Sequence, residues 1–315
     1  MAPPTVGLQS HAAIALEWDN VDCSEGELTR WLQLAGDRVH SLCIRQPAGN
    51  MDLSAPVLRL LARPQLQSIR TLVLRVGMLE PTYLDQSAFS LIVKLPLLIR
   101  LDLHPMPSGG RHRDHWVALS RMPSLTALLV DDFEGQQRSL LGEVAKCTRL
   151  QRLCVGYPNL AGDAFAAFFS APSIQQVVHL TFHRLRAKGL HPWGQPNWTP
   201  DYALFAGLKQ LQSFGLSRCS DVDVILPHVP LIPRLVSMRI QSGYLANTIP
   251  SVGALNALLA ASHPSLRVSL HFYLSPNGIS DAEKRMLPQW RANVTPVALH
   301  SHRVILREPS DALLD

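Results

Sequence analysis

The sequence predicts an α/β solenoid, a stack of short parallel strands joined by helices and arcs, with one strand in every ~28 residues. Three observations predict it. Leu makes up 52 of the 315 residues while Phe, Tyr and Trp together make up only 6%, so the core repeats one aliphatic shape. A spaced apolar pattern returns along most of the chain. Between its copies lie stretches with helical spacing and helix-forming residues.

The pattern is apolar-x-x-apolar-x-apolar. It stands at Val39-x-x-Leu42-x-Ile44, Ile69-x-x-Leu72-x-Leu74, Leu98-x-x-Leu101-x-Leu103 and Leu125-x-x-Leu128-x-Val130. It continues at Leu150-x-x-Leu153-x-Val155, Val177-x-x-Leu180-x-Phe182, Leu211-x-x-Phe214-x-Leu216 and Leu235-x-x-Met238-x-Ile240. A degenerate ninth copy runs from Leu266 to Phe272, and Val304-Ile305-Leu306 reads as a terminal strand. The central positions 42, 72, 101, 128, 153, 180, 214 and 238 are separated by 30, 29, 27, 25, 27, 34 and 24 residues. Period-two alternation makes each copy a strand with one buried face. The intervening helices are expected over 54–63, 84–95, 114–121, 137–146, 161–170 and 252–262, several opened by a capping residue such as Ser54, Asp85, Asp201 or Ser280. Strand, helix, strand in this rhythm puts all strands parallel. No unit buries its apolar face alone, so neighbours must stack.

Three segments carry a resemblance. Leu95-Pro96-Leu97-Leu98-Ile99-Arg100-Leu101-Asp102-Leu103 resembles a leucine-rich repeat. Cys147-Thr-Arg-Leu150-Gln-Arg-Leu153-Cys154-Val155 and Leu211-Gln-Ser-Phe214-Gly-Leu216-Ser-Arg-Cys219 resemble the cysteine-containing subtype, common in F-box leucine-rich-repeat proteins. The resemblance covers roughly residues 38–275 and implies a horseshoe with a parallel concave sheet and convex helices. Met106, Phe133 and Pro158 stand where members of that family carry a turn Asn or Cys. No F-box opening is evident. The expected organisation is an N-terminal tail and capping helix over 1–37, a solenoid of about nine repeats over 38–275, and a C-terminal cap and tail over 276–315. In the capping helix, Glu25 to Ala35, the side chains of Leu28, Trp31, Leu32 and Leu34 are expected to shield the first repeat.

In such a solenoid the variable strand positions share the concave face. They include Arg45, Arg75, Arg100, Asp102, His104, Asp131, Arg152, His179, His183 and Arg239, a set that suits a protein partner with an acidic segment. The longest step holds Arg184, Arg186, Trp193 and Trp198 among prolines and glycines, which excludes a continuous helix or strand. This 184–200 loop is a second candidate contact, its tryptophans either packed on their own repeat or offered to a partner.

The remaining features limit the function class. A net charge of +5, spread along the chain without a basic stripe, argues against nucleic acid. The longest apolar runs are too short to span a bilayer. Five cysteines without a Cys-x-x-Cys pair, and an N-terminus without a cationic leader, point to the cytoplasm or nucleus. His104, His112, His115 and Asp114 lack a metal-ligand spacing, and no phosphate loop or nucleophile elbow occurs. The expectation is a protein without catalytic, cofactor or metal site: an interaction scaffold or assembly subunit. The alternative, implied by the resemblance, is the substrate-recognition subunit of a cullin-RING ubiquitin ligase bound to a Skp1-like adaptor.

Overall fold

The computed structural model describes residues 14–19, 25–35, 38–46, 61, 63–76, 86–106, 119–132, 142–156, 163–183, 185, 201–220, 222–241, 250–271 and 304–307. The chain divides into two compact units, Met1–Leu150 and Gln151–Asp315. In the first, strands β1 (Ile14–Asp19), β2 (Val39–Gln46), β3 (Thr71–Val76), β4 (Arg100–Met106) and β5 (Ala127–Asp132) pair in chain order, all parallel. In the second, β6 (Arg152–Gly156), β7 (His179–His183), β8 (Ser213–Ser217), β9 (Ser237–Gln241), β10 (Arg267–His271) and β11 (Val304–Arg307) do the same. Each unit is thus an α/β arrangement of parallel strands. Among the described residues no helix is long and apolar enough to cross a membrane.

The register explains why the pattern repeats. Leu42, Leu72, Leu101 and Leu128 lie level with one another, as do Ile44, Leu74, Leu103 and Val130. In the second unit the levels are Leu153, Leu180, Phe214, Met238 and Val268, and Val155, Phe182, Leu216, Ile240 and Leu270. All of these are at most 3% exposed. Slipping any strand by one residue would exchange its buried and variable faces, so two aliphatic rows fix the register.

One strand escapes the sequence pattern. In β1, Leu16 lies level with Leu42 and Trp18 with Ile44, and a register shift sets Ile14 level with Val39, so this strand is one more copy, 42 − 16 = 26 residues before the next. The one-residue displacement of Ile14 from the first apolar position and Trp18 at the last disguise it. The helix Glu25–Ala35 forms as expected, but it connects β1 to β2. Leu32 and Ala35 are buried in it, whereas Leu34, expected to shield the core, is 66% exposed.

The arcs follow the same logic. The helix Gln86–Ile92 buries Phe89 and Ile92, three residues apart. In Asp163–Ser170 the spacing i, i+3, i+4 buries Phe165, Phe168 and Phe169. Val252–Ala261 is capped by Ser251, whose hydroxyl accepts the Ala254 N–H at 3.1 Å. Asp201 caps a 3₁₀ helix, Tyr202–Gly207, accepting from the Ala203 N–H at 3.1 Å. The expected caps Ser54, Asp85 and Ser280 lie outside the described residues.

The single-shape core expected from composition fails in the second unit. Six of the nine Phe residues gather there, Phe165, Phe168, Phe169, Phe182, Phe205 and Phe214, with Tyr202 beside them. Phe182 and Phe214 stand in the strand rows, their rings 6.1 Å apart and nearly perpendicular, and Phe205 reaches Phe214 at 5.5 Å. A low aromatic percentage averages over the chain and conceals such local concentration.

Side chains also tie each repeat to the next. Ser68 Oγ donates to the Val39 carbonyl, Ser124 Oγ to that of Pro96, and Arg149 to that of Pro123. Ser217 Oγ donates to Gln241 Oε1, Arg234 to Gln210, and the Ser251 N–H to Asp223. The partners are 24 to 29 residues apart, the spacing of the sequence pattern itself.

Gly215 marks a close approach between strands. A Cβ there would lie 2.6 Å from Thr181 Oγ1 and 2.9 Å from Thr181 Cγ2, across the β7–β8 pair. Gly215→Ala is expected to lower stability by about 1–3 kcal/mol in denaturant titration. Thr181→Ala, added to it, removes both clashing atoms and should recover most of that loss.

Candidate functional site

The strand positions between the buried rows form a second face on each unit. In the first unit its levels, from β1 to β5, are Ala15, Ser41, Thr71, Arg100 and Ala127, then Glu17, Cys43, Val73, Asp102 and Leu129. Asp19, Arg45 and Arg75 lie level beyond them, and His104 and Asp131 stand further along β4 and β5.

The three arginines of this unit do not form one cluster. Arg45 and Arg75 are direct register neighbours. Arg100 is level with Thr71, four residues back along β3 from Arg75, which is about 13 Å along the strand. Its guanidinium is already engaged: Nε donates to both Asp102 carboxylate oxygens at 3.0 and 3.1 Å, and a terminal nitrogen donates to Oδ2 at 2.6 Å. The hydrogen bonds to Asp102 raise the Arg100 pKa further above its ordinary value, outweighing the opposing effect of partial burial. Asp102, expected as an accessible partner contact, is 3% exposed between Val73 and Leu129. A carboxylate flanked by apolar neighbours needs this charge-assisted clamp, because an unpaired buried charge is costly. The pair orders the face itself.

In the second unit the levels are Arg152, His179, Ser213, Ser237 and Arg267; Cys154, Thr181, Gly215, Arg239, Ser269 and Ile305; and Gly156, His183, Ser217, Gln241, His271 and Arg307. His179 is beside Arg152, and His183 lies four residues along the same strand, about 13 Å away. Arg239 is on β9, two strands beyond β7. Arg267 and Arg307 belong to this face but escape the sequence pattern. Ser265 replaces the first apolar residue of the ninth copy and Leu266 shifts its apparent start by one, yet the alternation Arg267-Val268-Ser269-Leu270 does identify Arg267 as a variable position.

Other candidates are placed as follows. Arg184, Arg186, Trp193 and Trp198, with the rest of the proposed loop contact except buried Leu185, lie outside the described residues, as do His112 and His115. Among the described residues no group of three or more His, Cys, Asp or Glu gathers at metal-binding distance. Cys43, Cys147, Cys154 and Cys219 are thiols, none in a disulfide. Burial, with Glu143 adding to it, pushes the Cys147 thiol up to about 11, so at neutral pH it stays protonated and a poor nucleophile.

A scan against models of protein families finds no match, and a search of curated protein sequences finds none.

Burial, followed by the charge of Arg152, holds the His179 pKa below its ordinary 6.5. His179 is therefore neutral at pH 7 and does not add to the positive charge of the face. On acidification the unfolded chain takes up this proton before the folded chain does, so stability falls as pH drops through the ordinary histidine range. His179→Gln, compared with wild type in denaturant titrations from pH 8 to pH 5, should shrink that fall. An unchanged pH profile would contradict the assignment.

Proposed function

We propose that the chain is a non-catalytic protein-protein interaction scaffold or assembly subunit. In this reading it is built as a leucine-rich-repeat horseshoe, holding partners on the variable face of its strands and on the 184–200 loop. The observation that carries the reading is the separation of the two strand faces. One is a nearly dry pair of aliphatic rows that spends the hydrophobic residues on stacking. The other is half-exposed and chemically varied from strand to strand, as a recognition surface requires. Two further features support the repeat class. Side-chain hydrogen bonds link residues one repeat apart, as nearest-neighbour stacking demands. Cys219, at the turn after β8, is fully buried with its thiol 3.4 Å from the Phe182 carbonyl and 3.5 Å from that of Ser217. There the side chain fastens one repeat to the backbone of the preceding one, with Arg218 before it at φ 54°.

The cysteine-containing turn also favours a second reading, substrate recognition for a cullin-RING ubiquitin ligase. Ile14–Asp19 and Glu25–Ala35 are themselves a strand and helix of the repeat type and supply no F-box. Recovery of a Skp1-like adaptor with the full chain would favour this reading over the scaffold.

Partner capture by the immobilised full chain, followed by mass spectrometry, tests the scaffold reading. Replacing Arg45, Arg75 and Arg100 by Glu should abolish capture by charge reversal. Because Arg100→Glu would also set a second carboxylate against buried Asp102, the Arg45→Glu/Arg75→Glu variant serves as the folded control and should lose at least ~10-fold. Capture unchanged by the double variant would contradict use of this face in the first unit.

A further inference from the structure

We infer that the variable face of the second unit docks a phosphorylated peptide segment, its phosphate seated among Arg239, Arg267, Ser237 and Ser269. This rests on the reading that partners bind the variable strand face, and it assigns a ligand chemistry to one part of that face.

Charge carries the argument first. Strands β6 to β11 contain no Asp or Glu at all, yet Arg152, Arg239, Arg267 and Arg307 stand on their variable positions. Strands β1 to β5, by contrast, mix Arg45, Arg75 and Arg100 with Glu17, Asp19, Asp102 and Asp131. The chain's mild net charge of +5 thus conceals one face where cations and anions alternate and one that carries cations alone. An anionic partner is the complementary occupant of the second.

Geometry narrows the anion. Ser237 is level with Arg267, and Arg239 with Ser269, so on adjacent strands β9 and β10 the four residues form a square with arginines on one diagonal and serines on the other. The square measures about 4.8 Å between strands and about 6.6 Å along them. Arg267 is exposed and the other three half-buried, so the square is open to solvent. Two arginines and two serines sharing one such patch supply the donor types a phosphate monoester takes, with its three acceptor oxygens and nearly two charges. A single carboxylate would fill half of that capacity. Every cation on this face is Arg rather than Lys, the choice suited to planar bidentate recognition. The rest of the peptide would run across the strands toward Arg152, four strand spacings or about 19 Å from Arg267 and exposed. Single-stranded nucleic acid fits less well, because no Phe, Tyr or Trp occupies a variable position of β6 to β10 as a stacking platform.

The test is fluorescence polarisation on the full chain. The probes are a degenerate phosphoserine peptide library, the same library carrying unmodified serine, and a uridine 20-mer. The phosphoserine library should bind at least ~10-fold more tightly than its unmodified counterpart, and Arg239→Gln/Arg267→Gln should remove that preference. If the double variant melts at lower temperature than wild type, Arg267→Gln alone, at an exposed position, should still weaken phosphopeptide binding several-fold. Equal binding of the two libraries, a preference that survives both arginine variants, or tighter binding of the uridine 20-mer lost with the same arginines would each overturn the inference. Partner capture that depends on Arg45 and Arg75, without a phosphoserine preference, would sink it while leaving the scaffold reading standing. Loss of both would sink the two together.

Discussion

Two buried apolar side chains per strand, level with their counterparts on the next strand, are the constraint on which the remaining structure depends. A single strand of five to eight residues with a lone helix buries too little apolar surface to offset its ordering entropy. Once Leu42 sits beside Leu72 and Ile44 beside Leu74, each strand supplies the wall the next requires, and the arrangement extends by repetition. Burying one such side chain is worth about 1.5–3 kcal/mol, and the rows multiply that gain along each unit. The parallel direction follows, because every strand must return to the same end through its arc. At that end a single carbonyl often serves two amides of the next strand: the Arg70 carbonyl accepts from the Ile99 and Arg100 N–H groups at 2.8 and 2.9 Å.

Placing stability on one face releases the other. Variable positions are selected neither for the core nor for the register, so their chemistry differs sharply between units. In the first, the buried Asp102 shows that the face can still take part in structure, with Arg100 committed to its carboxylate. In the second, Ser, Thr and Gly dominate the levels around β8, and longer arginines stand on β9 and β10. Gly215 is part of this economy: Thr181 occupies the volume that any larger residue would need.

Most of the strands were legible from the sequence because the physics that buries them also spaces them. Eight copies of one pattern locate β2 to β9, since each buried row demands an apolar residue at a fixed offset. β1 was not legible, because a register shift displaces Ile14 by one residue from the first apolar position and Trp18 stands at the last. Arg267 was missed for a related reason, the one-residue displacement of Leu266. The face chemistry was only partly legible. Sequence names the variable residues, but the alignment between strands decides which of them meet, so Arg100 was grouped with Arg45 and Arg75 although Asp102 holds it at the other end of its strand. The chequerboard of Ser237, Arg239, Arg267 and Ser269 appears only once β9 and β10 are set in register.

Disulfide trapping between designed cysteines measures that register most directly. Level residues on adjacent parallel strands have Cα atoms about 4.8 Å apart, within disulfide range. Ser213 and Ser237 are such a pair, whereas Gln241 lies four residues further along β9. Ser213→Cys/Ser237→Cys should form an intramolecular disulfide rapidly on mild oxidation, and Ser213→Cys/Gln241→Cys should not. Preferential trapping of the second pair would show the strands antiparallel or displaced, and the stacked aliphatic rows would then not exist.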